Sequence, residues 1–451
     1  MNKKRVAIVG AGITGLVAAH YLKKANIGFK IFDRSNHIGG VVNTVEEDGF
    51  LYETGPNSGV ISNAEIANLF EELNGKCELE LADHSSSRRL IWKKNQWRAL
   101  PSGFLSAVFT PLFSFYDKFR ILGEPFRKKG NNPNESLAAM VKRRMGNSFL
   151  DYAIDPFILG IYAGDPDYIV PKYALPKLYN LEQQYGSFIG GAIKKKKELQ
   201  DEDAKKATRE IFSVKGGLIK LINGLVDAIG LENIETNCSD IHFHNDGSCY
   251  QLKFPDQRIE EFSHVITTTN AGELENIFPF IESELLENIA NLLYAKVSEL
   301  TIGFKKWEGI PLNAFGGLVP YREQRDILGV LFMSTLFKER APKDGALLTI
   351  FVGGTRKEES ALLSESELKK LMARELKDML KIKDFKPDLF KVTHYKRAIA
   401  QYGVDSGDRL EAINSIENKY NGLYLAGSMR DGVGVADRVK QAKDIATLIS
   451  E

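Results

Sequence analysis

Residues 5–34 read RVAIVGAGITGLVAAHYLKKANIGFKIFDR. RVAIVG is a short continuous apolar strand, GLVAAHYLKKA a helix and FKIFDR a second strand, which together make a β-α-β unit with a parallel pair. Gly10, Gly12 and Gly15 stand at G-x-G-x-x-G spacing between the first strand and the helix. Gly10 permits the tight turn, Gly12 lets a pyrophosphate approach the backbone, and Gly15 lets the helix lie close to the strand. The helix N-terminus then offers amide donors and positive dipole to phosphate. Asp33 ends the second strand, 18 residues after Gly15, where an acid accepts hydrogen bonds from an adenosine ribose. The expectation is a bound dinucleotide. The bland alternative, a glycine turn that holds nothing, is disfavoured by the strand, helix and acid all standing in place.

Outward from this unit the totals set bounds. At 451 residues, two or three domains are expected. Sixty Lys and Arg against 59 Asp and Glu give no general pull towards nucleic acid. Cys77, Cys238 and Cys249 have no metal-ligand spacing, and three cysteines make a poor disulfide framework, so a reducing compartment is expected. No run of about 20 apolar residues exists to span a membrane. The nearest is ALPSGFLSAVFTPLFSFY, residues 99–116, uncharged and rich in Phe and Leu. It reads equally as a segment that dips into a bilayer surface or as one buried in a core. Helical patterns with Pro and Gly punctuation dominate residues 103–200. Short strands follow (NIETNCSDIHFH, CYQLKF, HVITTTN), then KVSELTIGF, ILGVLFMSTLF and ALLTIFVGG, then a charged helix, SESELKKLMARELKDMLK. The run KKKKELQDEDAKK, residues 194–206, reads as a solvated face rather than a binding patch.

A second glycine pair, Gly39-Gly40, lies six residues past Asp33 and is not needed for NAD. It resembles the second glycine motif of the flavin amine-oxidase superfamily, whose extra loop lies along the FAD pyrophosphate. Many members carry Arg shortly after this pair; here the run is Val41-Val42-Asn43, which removes one cationic partner. Near the end, YLAGSMRDGVGVADRV places an apolar strand, three glycines and a helix in succession. By the same resemblance Gly427 sits by the pyrophosphate, and Val433, Gly434 and Val435 line the isoalloxazine. The helix from about Ala436 aims its positive end at the pyrimidine, where it would stabilise reduced flavin. The resemblance adds Ile13, Thr14, Arg34 and Cys238 to the residues expected at FAD.

Further stretches are similar to the protoporphyrinogen oxidase family and its coproporphyrinogen-oxidising bacterial relatives. GFLYETGPNSG (49–59), YAGDP (162–166), LYNLEQQYGSFIGGAI, AFGGLVP, LGVLFMSTLF, LLTIFVGG and YLAGSMRDGVGVADRV occur in family order across nearly the whole chain. AIAQY (398–402) departs from the pattern, with Ala400 where the family has Pro and no His following. The resemblance implies an α/β fold: a discontinuous Rossmann-like FAD domain from residues 1–85, 206–270 and 400–451, a mixed-sheet substrate domain from 86–102 and 271–399, and a membrane-touching helical domain from 103–205.

A porphyrinogen is a largely apolar macrocycle with carboxylates on one edge, so its site needs apolar walls and a cation. Arg89, twelve residues before Pro101, matches the family's propionate-binding Arg, whose planar fork suits a carboxylate. Leu318 and Phe351 match positions that sandwich the ring, and Phe315 a neighbouring wall; by themselves all three read as strand core. None of the seven His pairs with an acid or nucleophile, and no side chain stands out as a general base. The family implies a backbone carbonyl, Gly164 here, as a proton acceptor. The implied reaction is protoporphyrinogen IX to protoporphyrin IX, in three two-electron steps with O2 giving H2O2, or the coproporphyrinogen III equivalent. Implied partners are the porphyrinogen, O2, a membrane surface and handover to ferrochelatase, in the cytoplasm or on the inner face of its membrane. Other flavin chemistries remain open: a sugar-ring mutase, which needs an Arg-rich pocket; an amine oxidase or desaturase, which typically needs a paired aromatic cage; and a flavin-binding partner protein without turnover.

Overall fold

The computed structural model describes residues 4–84, 88–198 and 202–451. β1 (Arg5–Val9), α1 (Ile13–Lys24) and β2 (Gly28–Phe32) form the unit expected from the glycine spacing. β3 (Arg89–Lys93) and β4 (Gln96–Ala99) form a hairpin. A helical region follows, including α2 (Phe104–Phe109), α3 (Phe115–Leu122), α4 (Asp155–Tyr162) and α5 (Phe188–Glu198). Then come β5 (Ile234–Glu235), β6 (His264–Thr267), β7 (Tyr294–Phe304), β8 (Gly316–Leu318), β9 (Gly329–Phe332) and β10 (Ala346–Gly353). The chain ends with α6 (Glu365–Leu380), β11 (Leu389–Ala400), β12 (Leu423–Leu425) and α7 (Val435–Ser450).

Five strands in the order β5-β2-β1-β6-β12 make an all-parallel sheet. Its central strand β1 is apolar throughout Val6, Ala7, Ile8 and Val9 because both faces are covered, as parallel sheets require. α1 lies between that sheet and α7, burying Leu16, Val17, Ala18, Ala19 and Leu22 with Val439, Ala442 and Ala446 in one core.

The second sheet runs β11-β7-β10-β9-β8-β3-β4, and within it only β8 and β3 pair in parallel. Side-chain alternation gives it two distinct faces. Leu300, Ile302, Val330, Phe332, Leu348 and Ile350 pack on Leu368, Met372 and Leu376 of α6. On the other face the register aligns Glu299 with Phe351, Phe351 with Gly329, Gly329 with Leu318, and Gly316 with Arg89. That face is turned to a large cavity shared with the first sheet.

Two expectations change. ILGVLFMSTLF is a strand only to Phe332; a helical turn over Met333–Leu336 follows. The turn buries Met333 and Leu336 against Phe50 and Tyr52, so the hydrophobic period switches mid-run. NIETNCSDIHFH is two strands, β5 and His242–Asn245, broken around Cys238. Of residues 194–206, 199–201 lie outside the described residues.

The helical region is tied together by a buried ion cluster. Arg144 and Glu124 have no exposed surface and Glu182 has 1%. Arg144 Nε donates to Glu124 Oε1 (2.5 Å) and Arg144 Nη1 to Glu182 Oε1 (2.7 Å). Glu124 also accepts from Ser187 Oγ (2.6 Å) and from the Phe188 and Ile189 amides at the start of α5 (2.9 and 3.1 Å). Such a cluster stabilises only while complete, because losing one partner strands a buried charge. Glu124→Ala should therefore destabilise this region by about 3–5 kcal/mol. Thermal unfolding followed by circular dichroism should show a lowered or split transition; an unchanged melt would mean that Arg144 finds water instead.

Candidate functional site

The first wall of the cavity is built from glycines. Gly12 forms a parallel bridge with Gly39, and the Gly39 amide donates to the Ala11 carbonyl (2.9 Å). A Cβ on Gly40 would lie 3.2 Å from Gly12 Cα, and one on Gly15 would overlap the Gly10 carbonyl oxygen. Gly12 is different: a Cβ there meets nothing within 4 Å, because that side of the residue is cavity. α1 has no side-chain cap and no acid in its first turn, so its amide donors are left for a ligand anion. Ile13 and Thr14 line the cavity beside them.

Asp33 also lines the cavity, but its carboxylate is partly occupied: Oδ2 accepts the Ala11 amide (2.6 Å) and Oδ1 the Ser35 amide (2.8 Å). It braces the glycine turn as well as facing the ligand space. Arg34 lines this end and lies 3.5 Å from Glu273. Cys238 lines it too; burial pushes its thiol up to about 11, so it is a neutral packing group.

The C-terminal element closes the same wall. Gly427, Val433, Gly434 and Val435 all line the cavity. The expected bare positive helix end is altered, because Asp437 in the first turn of α7 accepts the Gly434 amide (3.1 Å). Its negative charge offsets part of the dipole. Arg438 is buried at the cavity; it donates to Gln441 Oε1 (2.8 Å) and the Arg430 carbonyl (2.8 Å), yet its Nε has no partner.

The opposite wall is the exposed face of the second sheet. Phe315, Leu318 and Phe351 line it, and so does Arg89, whose guanidinium lies 6.0 Å from the Phe315 ring centre. Arg89 has no ion pair among the described residues, and Arg88 does not line the cavity. Leu328, Leu331 and Tyr395 also line this wall and were not singled out by the sequence reading. Gly164 does not line the cavity, which corrects the expectation of its carbonyl there. α4 ends at Tyr162, Ala163 turns left-handed (φ 46°), and the chain beyond faces Gln401. Gly160, one helical turn earlier, faces the cavity against Leu318. Lys177, Lys195, Lys196 and Arg209 also line the cavity, so part of the lysine-rich run is not simply solvated.

One acid stands apart. Glu299 is 2% exposed, lines the cavity, and accepts a hydrogen bond from Asn57 Nδ2 (2.6 Å). Burial, the largest influence, pushes its carboxyl up to about 8 against the pull of Asn57. The available signal was a lone acid inside a largely apolar strand.

The family model for flavin-containing amine oxidoreductases matches residues 13–449. The chain belongs to that family. Protoporphyrinogen oxidase 2 of Arabidopsis thaliana is 31% identical over 100% of this chain and 94% of its own. Coproporphyrinogen III oxidase of Bacillus subtilis is 24% identical over 98% and 97%. A crystal structure from Exiguobacterium sp. 255-15, provisionally named a protoporphyrinogen oxidase, superposes with TM-score 0.83 at 24% identity, covering 100% of this chain and 99% of its own.

This amine-oxidoreductase relative is thus an FAD-dependent oxidoreductase, and its residues fit the cofactor. The unfilled side of Gly12 and the uncapped α1 face one cavity of about 2540 Å³, and Arg438 is among its lining residues. An ordinary ligand pocket is about 300–1,000 Å³, so a dinucleotide and a second molecule fit together. Gly12→Val tests this directly. The new Cβ meets no protein atom within 4 Å, so the fold should stand while the pyrophosphate path is blocked. Purified protein should keep its circular dichroism and lose its bound flavin absorbance; a yellow variant would place the pyrophosphate elsewhere.

Proposed function

We propose that this oxidoreductase oxidises protoporphyrinogen IX to protoporphyrin IX in haem synthesis, removing six electrons in three two-electron steps with O2 as acceptor and H2O2 as product. One observation carries the reading: Arg89, free of any carboxylate partner among the described residues, stands at the edge of an apolar wall of Phe315, Leu318, Leu328 and Phe351, across the cavity from the glycine cradle. That is the complement of an apolar ring with a carboxylate edge. The names of the relatives point the same way. FAD, when bound, supplies the hydride acceptor. The chain's residues hold the macrocycle against it, orient its carboxylate edge and keep bulk water from the apolar wall.

Coproporphyrinogen III is the second reading, with its own observation. Lys177, Lys195, Lys196 and Arg209 add cations to the lining, and none has an ion pair among the described residues. A substrate with four carboxylates would use them. Aerobic assay with both porphyrinogens, read by porphyrin fluorescence, decides between the two.

We infer also that α2 and α3 rest on a lipid surface. The segment at 99–116 and the residues just after it are not core: Leu105, Phe109, Phe115, Tyr116, Phe119, Leu122 and Phe126 are 61–91% exposed, while Thr110, Leu112 and Phe113 tuck in. So many clustered rings and aliphatic chains exceed what a soluble surface ordinarily shows, and Lys128 and Lys129 beside them suit anionic headgroups. Among the described residues no helix is long and apolar enough to cross a membrane. The protein should float with anionic vesicles, and Phe115→Asp with Phe119→Asp should release it without loss of flavin. A wild type that stays with the soluble fraction refutes the contact.

Arg89 gives the sharpest test. A charge-assisted carboxylate bond is worth roughly 1.5–3 kcal/mol, so Arg89→Ala should raise KM about 10- to 150-fold. The flavin spectrum should not change, and kcat should fall less, since the carboxylate lies away from the reacting carbon. Lys at 89 should recover only part, and Arg88→Ala should do little. Silence at both positions would remove the proposed pose.

A further inference from the structure

A two-electron oxidation of a porphyrinogen releases a hydride from a meso carbon and a proton; over the three steps two of the protons come from pyrrole nitrogens and the third from a meso carbon by tautomerisation. The second wall contains a group suited to a pyrrole proton. Among the described residues lining the cavity, the acids are Asp33, Asp240, Glu273 and Glu299. The first three belong to the nucleotide end, with Arg34 and Cys238. Glu299 alone stands in the sheet that carries Arg89, Leu318 and Phe351, directly across from Phe351 in the β7–β10 register.

Its surroundings hold it in place without a cation. Asn57 Nδ2 donates to Glu299 Oε1, while Asn57 Oδ1 accepts from Thr349 Oγ1 (2.8 Å) and its amide also reaches the Gly55 carbonyl (3.0 Å). The Asn57 amide is therefore fixed with a donor towards the carboxyl. The titratable groups that face Glu299 are Glu53, at the end of the separate strand Phe50–Glu53, and Tyr395 from β11. Glu53 is bound to Arg340 (3.0 Å), Thr44 Oγ1 (2.6 Å) and the Leu218 amide (3.0 Å). Burial lifts the Tyr395 phenol well above its ordinary range. Arg340 is spent on Glu53 and Ser213. A buried carboxyl with only neutral donors, the Asn57 side chain and the Gly55 backbone amide, and no counter-charge gives up its proton reluctantly and takes one readily.

We propose that the Glu299 carboxylate accepts the pyrrole proton during porphyrinogen oxidation, a role that rests on the function proposed above. The N–H bond breaks and an O–H bond forms on Glu299, while FAD, when bound, would take up the C–H electron pair as hydride. The proton then passes to cavity water before the next of the three steps. With its carboxyl pushed up to about 8, Glu299 is mostly neutral below that pH and ionised above it, so the base form grows as pH rises.

The test uses the flavin-loaded enzyme with Glu299→Gln and Glu299→Asp. Wild-type kcat should rise with pH to a plateau above about 8. Glu299→Gln keeps the shape and the Asn57 bond; it should lower the plateau about 10²-fold or more and flatten the rise, with KM little changed. Glu299→Asp should restore part of the rate together with its pH dependence, and carries the test should the Gln variant fail to fold or load flavin. A second readout needs no turnover: the infrared difference between about pH 6 and about pH 10 should show loss of a protonated-carboxyl band in wild type and not in Glu299→Gln. A Gln variant with the wild-type rate and pH profile overturns the role, as does a wild type with no titrating band. A wild type that oxidises neither porphyrinogen overturns the functional reading instead, and the proton role falls with it.

Discussion

An α-helix leaves its first amide donors without intrahelical partners, and most helices satisfy them with a side chain. α1 does not. Its N-terminus is kept bare by Gly12 and closed in by Gly39 and Gly40, so only a ligand anion can complete it. The surrounding architecture follows from that constraint. Asp33 holds the turn by its backbone amides, β6 and β12 extend the sheet beneath it, and α7 packs on the other side of α1.

The second sheet works by a different rule. Here the period of two separates a face packed on α6 from a face left for the ligand. Register then decides the chemistry, since it sets Arg89, Leu318, Phe351 and Glu299 on one side. A slip of one residue would exchange these for Leu90, Gly317, Ile350 and Leu300, and the wall would lose its cation and its acid together.

The two walls differ in how far the sequence revealed them. The glycine turns were legible because the demand falls on residue type: Gly15 and Gly40 have no room for a side chain. Asp33 was placed by spacing, but not its use by the Ala11 and Ser35 amides, which depends on how the turn folds back. Phe315, Leu318 and Phe351 look like core in isolation, and only the order of motifs set them at a ligand. Glu299 was passed over because a lone acid in a strand does not declare its face, and its significance depends on Asn57, 242 residues away. Gly164 was named from the family resemblance alone, and the left-handed turn at Ala163 that carries the chain beyond it towards Gln401 is tertiary information. Lys195 and Lys196 have the composition of any solvated helix; that they reach the cavity follows from how α5 is anchored through Glu124.

The order of the segments also matters during synthesis. The strand β1 of the cofactor sheet leaves the ribosome before the second sheet, whereas β12 and α7 follow it. The two ends meet directly: Lys4 Nζ donates to the Ile449 carbonyl (2.6 Å), and the Asn63 side chain to the Ala436 carbonyl (2.9 Å). Until residues 423–450 emerge, α1 has one apolar flank open and the cofactor wall lacks Gly427, Val433, Gly434 and Val435. The nascent protein must keep that flank from wrong partners while the second sheet and the helical region are made. A complete cofactor wall thus waits for the join between an early and a late part of one sheet.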